Sequence, residues 1–189
     1  MIIHAIHGIE TPAGTTTLPD LFPYLEPLGE IRYPDYGWIG LLDSRRLNPL
    51  IVGTLRDYIA TGDIIVGHSN GCAIAYDLLQ TGVLVRGLVL INGALRRDIQ
   101  IPTGVDFVHC YWNSGDTITV DAQAGSDLGL CDPNWGDMGH AGYLGSDPRV
   151  LNVDCGHTTG MPAVSGHSAI FDPPNLAAWG AFIAAKLKE

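Results

Sequence analysis

Residues 64–73 are Ile64-Ile65-Val66-Gly67-His68-Ser69-Asn70-Gly71-Cys72-Ala73, and they are the most informative ten residues of the chain. Its first three residues are β-branched and apolar, which is typical of a buried strand. Small residues follow, as they do at the start of a closely packed helix. Between the two, the pattern G-x-S-x-G predicts a very tight turn.

A serine on such a turn lies in strained backbone geometry, and Gly67 and Gly71 are needed because side chains there would collide with neighbouring backbone. The turn aims the Ser69 hydroxyl outward above the sheet. The start of the helix also puts the backbone amide of Asn70 where it can stabilise a developing negative charge. The stretch therefore predicts a nucleophile elbow with Ser69 as the nucleophile.

Outside this stretch, short apolar runs alternate with longer amphipathic segments, which indicates a mostly parallel sheet with helices on both faces. Six strands are predicted: Ile2–Ile6, Glu30–Tyr33, Asp63–Gly67, Gly87–Ile91, Val105–Trp112 and Val150–Val153. Helices are predicted between them and at the end: Leu18–Leu28, Ser44–Ala60, Asn70–Gln80 and Asn175–Leu187. The fold class is α/β, with about six strands.

The segment Ser114–Ser146 breaks this rhythm because it is rich in glycine and aspartate and only weakly periodic. It is far longer than the usual connection of about 2–6 residues in an α/β unit. It predicts either a functional loop or lid, or a solvated surface insertion within one domain spanning residues 1–189.

The elbow and the order of the elements resemble the α/β-hydrolase superfamily, specifically its small serine esterases and lipase-like members. In that family the acid follows the second strand after the nucleophile strand. Asp116 matches this place, because it follows the predicted strand Val105–Trp112 and a glycine. Asp121 and Asp106 are the alternatives.

The family's histidine follows the last strand, and three histidines lie late in this chain. The resemblance favours His167, because Gly166-His167-Ser168 comes just before the terminal helix. His157 is the alternative base, and His140 is a third candidate. The chain order Ser69, Asp116, His167 then matches the superfamily's order of nucleophile, acid and base.

A second feature of the resemblance lies after the first strand, where His7-Gly8-Ile9 is similar to the family's oxyanion motif. This implies that the backbone amides of Ile9 and Asn70 form the oxyanion hole. His7 itself is expected to cap or to pack.

Compared with larger members, the chain begins at what would be the family's third strand and leaves no room for a large cap domain. The resemblance therefore implies a minimal hydrolase with an open cleft, bordered by Gly8–Thr17 and Gly125–Gly145. Such a cleft favours short-chain or polymer-borne esters. Aromatic residues that could line it are expected to pack rather than to contact substrate: Tyr36, Trp38, Trp112, Trp135 and Tyr143.

Composition limits the partners. The chain has 189 residues, of which 46% are hydrophobic and only 16% are charged, which favours a well-buried core. Its formal net charge of −10, with no basic stripe, argues against nucleic acid and anionic membranes as partners.

The sequence also bears on the location of the protein. No apolar stretch of about 18 residues and no secretion signal is visible, so no membrane insertion and a cytoplasmic location are expected. The four cysteines are widely spaced and are expected to be reduced.

Together these features predict a serine hydrolase that cleaves a carboxylic ester through an acyl-enzyme intermediate, with no cofactor. An acyltransferase or thioesterase would use the same three residues. A non-catalytic module of hydrolase fold that binds small molecules also stays open. A metal enzyme is a further alternative, with Cys131, His140, Cys155 and His157 as ligands, although their spacing is not that of a zinc site. The oligomeric state is not predicted.

Overall fold

The computed structural model describes residues 1–9, 17–37 and 39–189. Trp38 and most of the predicted cleft border at Gly8–Thr17 lie outside the described residues.

The described residues form one six-stranded sheet in which every neighbouring pair is parallel. Its strands are β1 (Ile2–Ile6), β2 (Glu30–Arg32), β3 (Ile64–His68), β4 (Val85–Ile91), β5 (Val105–Trp112) and β6 (Val150–Asp154). Their spatial order is β2-β1-β3-β4-β5-β6. The central strand β3 is buried at all five positions, which explains its continuous apolar run.

Helices cover both faces of this sheet. They are α1 (Leu18–Leu25), α2 (Ser44–Leu55), α3 (Asn70–Gln80), α4 (Thr117–Asp127), α5 (Met138–Ala141) and α6 (Pro173–Lys186). Helices α1 and α6 pack together on one face, and α2 and α3 pack together on the other. The side chains of β3 alternate between these two layers, with Ile64 and Val66 in the first and Ile65 in the second.

The predicted fold class is confirmed, and each predicted strand end lies within two residues of the observed one. The predicted helix Ser44–Ala60 is shorter than expected, because α2 ends at Leu55 and residues Arg56–Tyr58 form a 3₁₀ turn. Among the helices that the structure describes, none is long and apolar enough to cross a membrane.

The segment Ser114–Ser146 is not one continuous loop, because it contains α4 and α5. Glycine and β-branched residues lower the helix propensity of α4, so its sequence does not predict a helix. The Asp116 side chain caps this helix by accepting a hydrogen bond from the backbone amide of Thr119. Farther along, Trp135 and Met138 are buried in the same core layer as α2 and α3. Cys131, Trp135 and Met138 are therefore packed in the core, whereas α4 exposes Ile118 and Val120.

Candidate active site

Ser69 lies at the carboxyl edge of the sheet, between the last residue of β3 and the first residue of α3. Its backbone angles are φ 57° and ψ −127°, a sparsely populated conformation that costs roughly 1–3 kcal/mol. Its backbone amide donates a hydrogen bond to the Ile91 carbonyl at 3.1 Å, which ties the strained turn to the end of β4. Seven percent of the residue is exposed.

Three glycines allow the backbone to pack around this serine. A Cβ on Gly67 would lie 2.8 Å from the Gly71 carbonyl oxygen, and a Cβ on Gly71 would overlap the Ile6 carbonyl. A Cβ on Gly8 would lie 2.9 Å from the Ser69 Cβ and 3.2 Å from its Oγ. The loop after β1 therefore lies directly against the serine hydroxyl.

The second part of the site is a carboxylate and imidazole pair. Asp116 follows β5 and is fully buried, and the Nδ1 of His167 lies 2.9 Å and 3.0 Å from its two carboxylate oxygens. Asn92, at the end of β4, donates from Nδ2 to the same carboxylate at 3.0 Å. Burial raises the pKa of Asp116, but the hydrogen bonds from His167, Asn92 and Thr119 outweigh it and hold the pKa below its usual value. The acid is therefore a carboxylate at neutral pH.

The loop that carries His167 is fixed by the side chain of Asn113. Its Nδ2 donates to the Gly166 carbonyl at 3.1 Å, while its Oδ1 accepts from the amides of Gly166 at 2.9 Å and Gly115 at 3.1 Å. Gly166 has φ +121°, a conformation that other residues rarely adopt. The Asn113 clasp thus sets the backbone immediately before the histidine.

His68 joins the two parts of the site. It is the residue before Ser69, and its Nε2 donates to the His167 carbonyl at 3.2 Å. Its ring centroid lies 4.9 Å from that of His167 and 5.0 Å from that of Phe171. Burial, with a smaller effect from His167, lowers the pKa of His68 to about 3. His68 is therefore neutral and adds no charge that would oppose protonation of His167.

The alternative residues lie elsewhere. His157 has 75% of its side chain exposed and is paired with Asp154 at 3.0 Å. His140 lies on α5, and its buried Nδ1 has no hydrogen-bond partner. Asp106 and Asp121 are both exposed. Of the predicted acids and bases, the structure brings Asp116 and His167 together.

His7 is buried by packing. Its ring stacks on Tyr36 with centroids 3.9 Å apart, and its Nδ1 donates to the Gly8 carbonyl at 2.9 Å. The Tyr36 hydroxyl donates to the His7 carbonyl at 2.5 Å. Burial lowers the pKa of His7, so the ring is neutral. Its contacts shape the backbone that leads to Gly8 and Ile9.

The two predicted oxyanion donors lie in different environments. Ile9 is half-buried and packs against the core layer of α2 and α3. Asn70 is fully buried and is the first residue of α3, so its backbone amide has no carbonyl partner within that helix.

A cavity of about 680 Å³ lies between α2 and the segment that follows β2. Tyr36 lines it, together with His4, Arg32 and apolar residues of α2, whereas Ser69, Asp116 and His167 do not. Trp135 is fully buried, and Trp112 and Tyr143 pack against the same core layer. Trp112, Trp135 and Tyr143 are thus part of the packing, whereas Tyr36 both stacks on His7 and lines the cavity.

The residues of the metal alternative do not converge. Cys131 and Cys155 are buried free thiols in the two opposite core layers, while the His157 side chain is largely exposed. Within the described ranges, no group of three or more histidine, cysteine, aspartate or glutamate side chains is placed to hold a metal ion.

Sequence reasoning missed three residues that hold the site together, His68, Asn92 and Asn113. A signal for two of them is present, since Asn92 and Asn113 each directly follow a buried apolar strand, β4 and β5. Polar residues at the carboxyl ends of neighbouring parallel strands meet at one edge of the sheet. No comparable signal marks His68.

The sequence matches no described protein family and no curated protein. Solved structures resemble it. An alpha/beta superfamily protein from Xanthomonas campestris is 19% identical, with a TM-score of 0.56 over 99% of this chain and 97% of its own. Mouse alpha/beta hydrolase domain-containing protein 10 is 12% identical, with a TM-score of 0.62 over 99% of this chain and 89% of its own.

Lipase B from Aspergillus fumigatus is 16% identical, with a TM-score of 0.63, and the match covers all of this chain (100%) and 52% of the lipase. The chain therefore has the α/β-hydrolase fold. The candidate site combines a strained serine at the strand-to-helix turn with a buried carboxylate that is paired with a partly exposed imidazole at the same edge.

Proposed function

We propose that the protein is a serine hydrolase that cleaves carboxylic esters, with Ser69 as nucleophile, His167 as base and Asp116 as the residue that orients the base. The observation that carries this proposal is the Asp116–His167 hydrogen bond at 2.9 Å, which the buried Asp116 makes at the same edge of the sheet as a serine held at φ 57°. The solved structures of the same fold, one of them named a lipase, support a hydrolase in general.

The hydrogen bond fixes the tautomer of the base. Because the carboxylate of Asp116 accepts from Nδ1, the neutral His167 ring carries its proton there, and Nε2 is left to accept the proton of Ser69. As the Ser69 hydroxyl attacks the ester carbonyl, the proton passes to His167, and the charge of Asp116 stabilises the imidazolium that forms. His167 then returns the proton to the leaving alcohol. Water attacks the acyl-enzyme with the same base.

The negative charge on the tetrahedral intermediate needs donors on the opposite side of the reacting carbon. The backbone amides of Ile9 and Asn70 are the proposed oxyanion hole, supported by the contact of Gly8 with Ser69 and by the place of Asn70 at the start of α3. Removal of one such donor typically costs about 2.7–4 kcal/mol of transition-state stabilisation.

A fluorophosphonate probe tests the nucleophile directly. We expect stoichiometric labelling of the wild-type protein at Ser69 and none of the Ser69→Ala variant. A screen of nitrophenyl esters of increasing acyl length, with Ser69→Ala as the blank, then measures turnover and the chain length that the site accepts. His167→Ala should abolish turnover, whereas His157→Ala should not.

Two results would overturn this assignment. Unlabelled, folded wild-type protein would favour a binding module of hydrolase fold. Labelling without release of free acid, but with ester or amide product when an alcohol or amine is added, would indicate an acyltransferase.

A further inference from the structure

A chain of buried polar side chains lies behind the elbow, away from the Asp116–His167 pair. The side-chain oxygen of Asn70 accepts hydrogen bonds from the Trp135 Nε1 at 2.7 Å and from the Asn48 Nδ2 at 2.8 Å. The Asn70 Nδ2 in turn donates to the Asn48 Oδ1 at 3.0 Å. Both asparagines are fully buried, and Trp135 is 1% exposed. We call this the Asn70 anchor.

The anchor continues outward to a carboxylate. The Nδ2 of Asn48 also donates to Asp132 at 2.7 Å, and the backbone amide of Asp132 donates to the Ser44 hydroxyl at 3.2 Å. The anchor therefore joins the first turns of α2, the start of α3 and residues 131–135.

Packing alone does not require this arrangement. A buried polar group contributes little net stability when it is paired, and apolar side chains of the same shape could fill the same space at little cost. What the hydrogen bonds provide is a fixed orientation, since they use both lone pairs of the Asn70 side-chain oxygen.

Orientation matters here because of the peptide bond between Ser69 and Asn70. Its N–H is the proposed oxyanion donor, and its direction is set by the ψ of Ser69 and by the position of the Asn70 Cα. Strained backbone keeps its shape only where its surroundings hold it. Ser69 is held by the Ile91 carbonyl through its amide, and its own carbonyl accepts from the amides of Cys72 at 3.0 Å and Ala94 at 3.1 Å. The Asn70 side chain adds an attachment at the Cα that follows this peptide.

We propose that Asn48 and Trp135 are positioning residues for the oxyanion hole, which act by holding the Asn70 side chain so that its backbone amide faces the developing oxyanion. This inference rests on the proposed esterase function and adds a determinant of its rate. Neither residue needs to touch substrate.

Trp135→Phe is the finest test, because it removes the Nε1 donor and keeps most of the aromatic bulk. We expect kcat for a nitrophenyl ester to fall about tenfold, or ~1.4 kcal/mol, with KM changed less than twofold. Trp179→Phe is the matched control. Trp179 is also fully buried and donates one hydrogen bond, to the Pro162 carbonyl at 2.9 Å, but on the other face of the sheet. The Trp179→Phe variant should have a lower melting temperature and a kcat within twofold of wild type.

An equilibrium measurement separates positioning from a general loss of folded protein. Phenylboronic acid adds to a serine oxygen to form a tetrahedral anion, one hydroxyl of which occupies the oxyanion hole. Its inhibition constant should weaken in Trp135→Phe by about the same factor as kcat/KM, and should not change in Trp179→Phe. Asn48→Ala removes the other hydrogen-bond partner of the Asn70 side chain and should give the same pattern. The double variant should lose less than the product of the two single effects.

The outcomes are distinct. Wild-type protein that neither turns over esters nor reacts with fluorophosphonate overturns the proposed function. Active wild-type protein whose Trp135→Phe and Asn48→Ala variants show only lower melting temperatures, with kcat and boronate affinity unchanged, overturns the positioning role and leaves the esterase proposal standing. Should Trp135→Phe not fold, Asn48→Ala alone decides between the two results.

Discussion

The two halves of the site are built differently. Around Ser69, geometry is imposed by close backbone contacts, since Gly67 and Gly71 have no room for a Cβ. Around His167, geometry is imposed by side-chain hydrogen bonds from Asp116, Asn113 and His68. A methyl group added at Gly67 or Gly71 should therefore disrupt the serine half completely rather than by degrees. The histidine half should lose activity by degrees as single hydrogen bonds are removed, except at Asp116.

The largest effect on activity is expected from Asp116→Asn. The asparagine can still cap α4 by accepting from the Thr119 amide, so the fold should be kept. Its amide group also turns a donor toward His167, which stabilises the wrong tautomer of the base, and kcat should fall by roughly 10⁴-fold. Steady-state hydrolysis of a nitrophenyl ester measures this. The exposed Asp121, on the same helix, gives the control Asp121→Asn, and equal loss in both variants would refute the assignment.

The largest effect on stability is expected from Gly71→Ala. The new methyl group would overlap the Ile6 carbonyl. Because the backbone fixes the position of a Cβ and the carbonyl belongs to β1, neither group can rotate away. We expect a loss of more than about 3 kcal/mol in the free energy of unfolding, or no folded protein. Chemical denaturation followed by circular dichroism measures it.

Gly53→Ala is the control for this substitution. Gly53 lies in α2, and a Cβ added there would meet no described atom outside its own helix within 4 Å, so alanine should stabilise the helix by up to about 1 kcal/mol. If Gly71→Ala were as stable as Gly53→Ala, the steric account of the elbow would be wrong.

The difference between local backbone contacts around Ser69 and side-chain hydrogen bonds around His167 also explains which features the sequence could predict. The elbow lies within ten consecutive residues, and its glycines are needed for local reasons, so residues 64–73 were sufficient to predict strand, turn and helix. Asp116 was predictable because it follows a strand whose apolar run is unambiguous. The hydrogen bond between His68 and His167 spans 99 residues, and the bond between Asn48 and Asn70 spans 22. No local pattern encodes such pairs, since they depend on how the helices and loops pack.

Helix α4 was missed for a different reason. Its sequence contains Gly125 and several β-branched residues, which weaken helix propensity. It forms because Asp116 caps its first turn and because Thr119 and Ala122 are buried. Tertiary contacts thus decide an element that propensity alone assigns to a loop.

An intermediate effect is expected from His68→Gln as the pH falls. The pKa of His68 is about 3 in the folded protein and near 6.5 when unfolded, so between these values the unfolded chain binds a proton that the folded protein does not. The contribution of neutral His68 to the free energy of unfolding is fully present above about pH 6.5 and is lost as the pH falls toward 3. At pH 4.5 the loss is ~2–3 kcal/mol, at 1.36 kcal/mol for each pKa unit.

Glutamine cannot titrate, but its amide can still donate to the His167 carbonyl. Relative to wild type, His68→Gln should therefore gain stability between pH 7 and pH 4.5, measured by denaturation at each pH. His157→Gln is the control, because 75% of that side chain is exposed. Parallel stability curves for His68→Gln and wild type would show that His68 is not held neutral by burial.

The smallest effect is expected from Asn113→Ala, which removes the clasp on the loop before His167. Two partly buried amides and the Gly166 carbonyl lose their partner, so stability should fall by about 1–3 kcal/mol. The Asp116 bond still orients the ring, so kcat should fall only about tenfold. Asn152 makes the same reciprocal clasp with the Tyr143 backbone, but at an exposed position. Asn152→Ala should therefore leave ester turnover unchanged. Equal losses of turnover in the two variants would mean that the clasp supports the fold in general and does not specifically position His167.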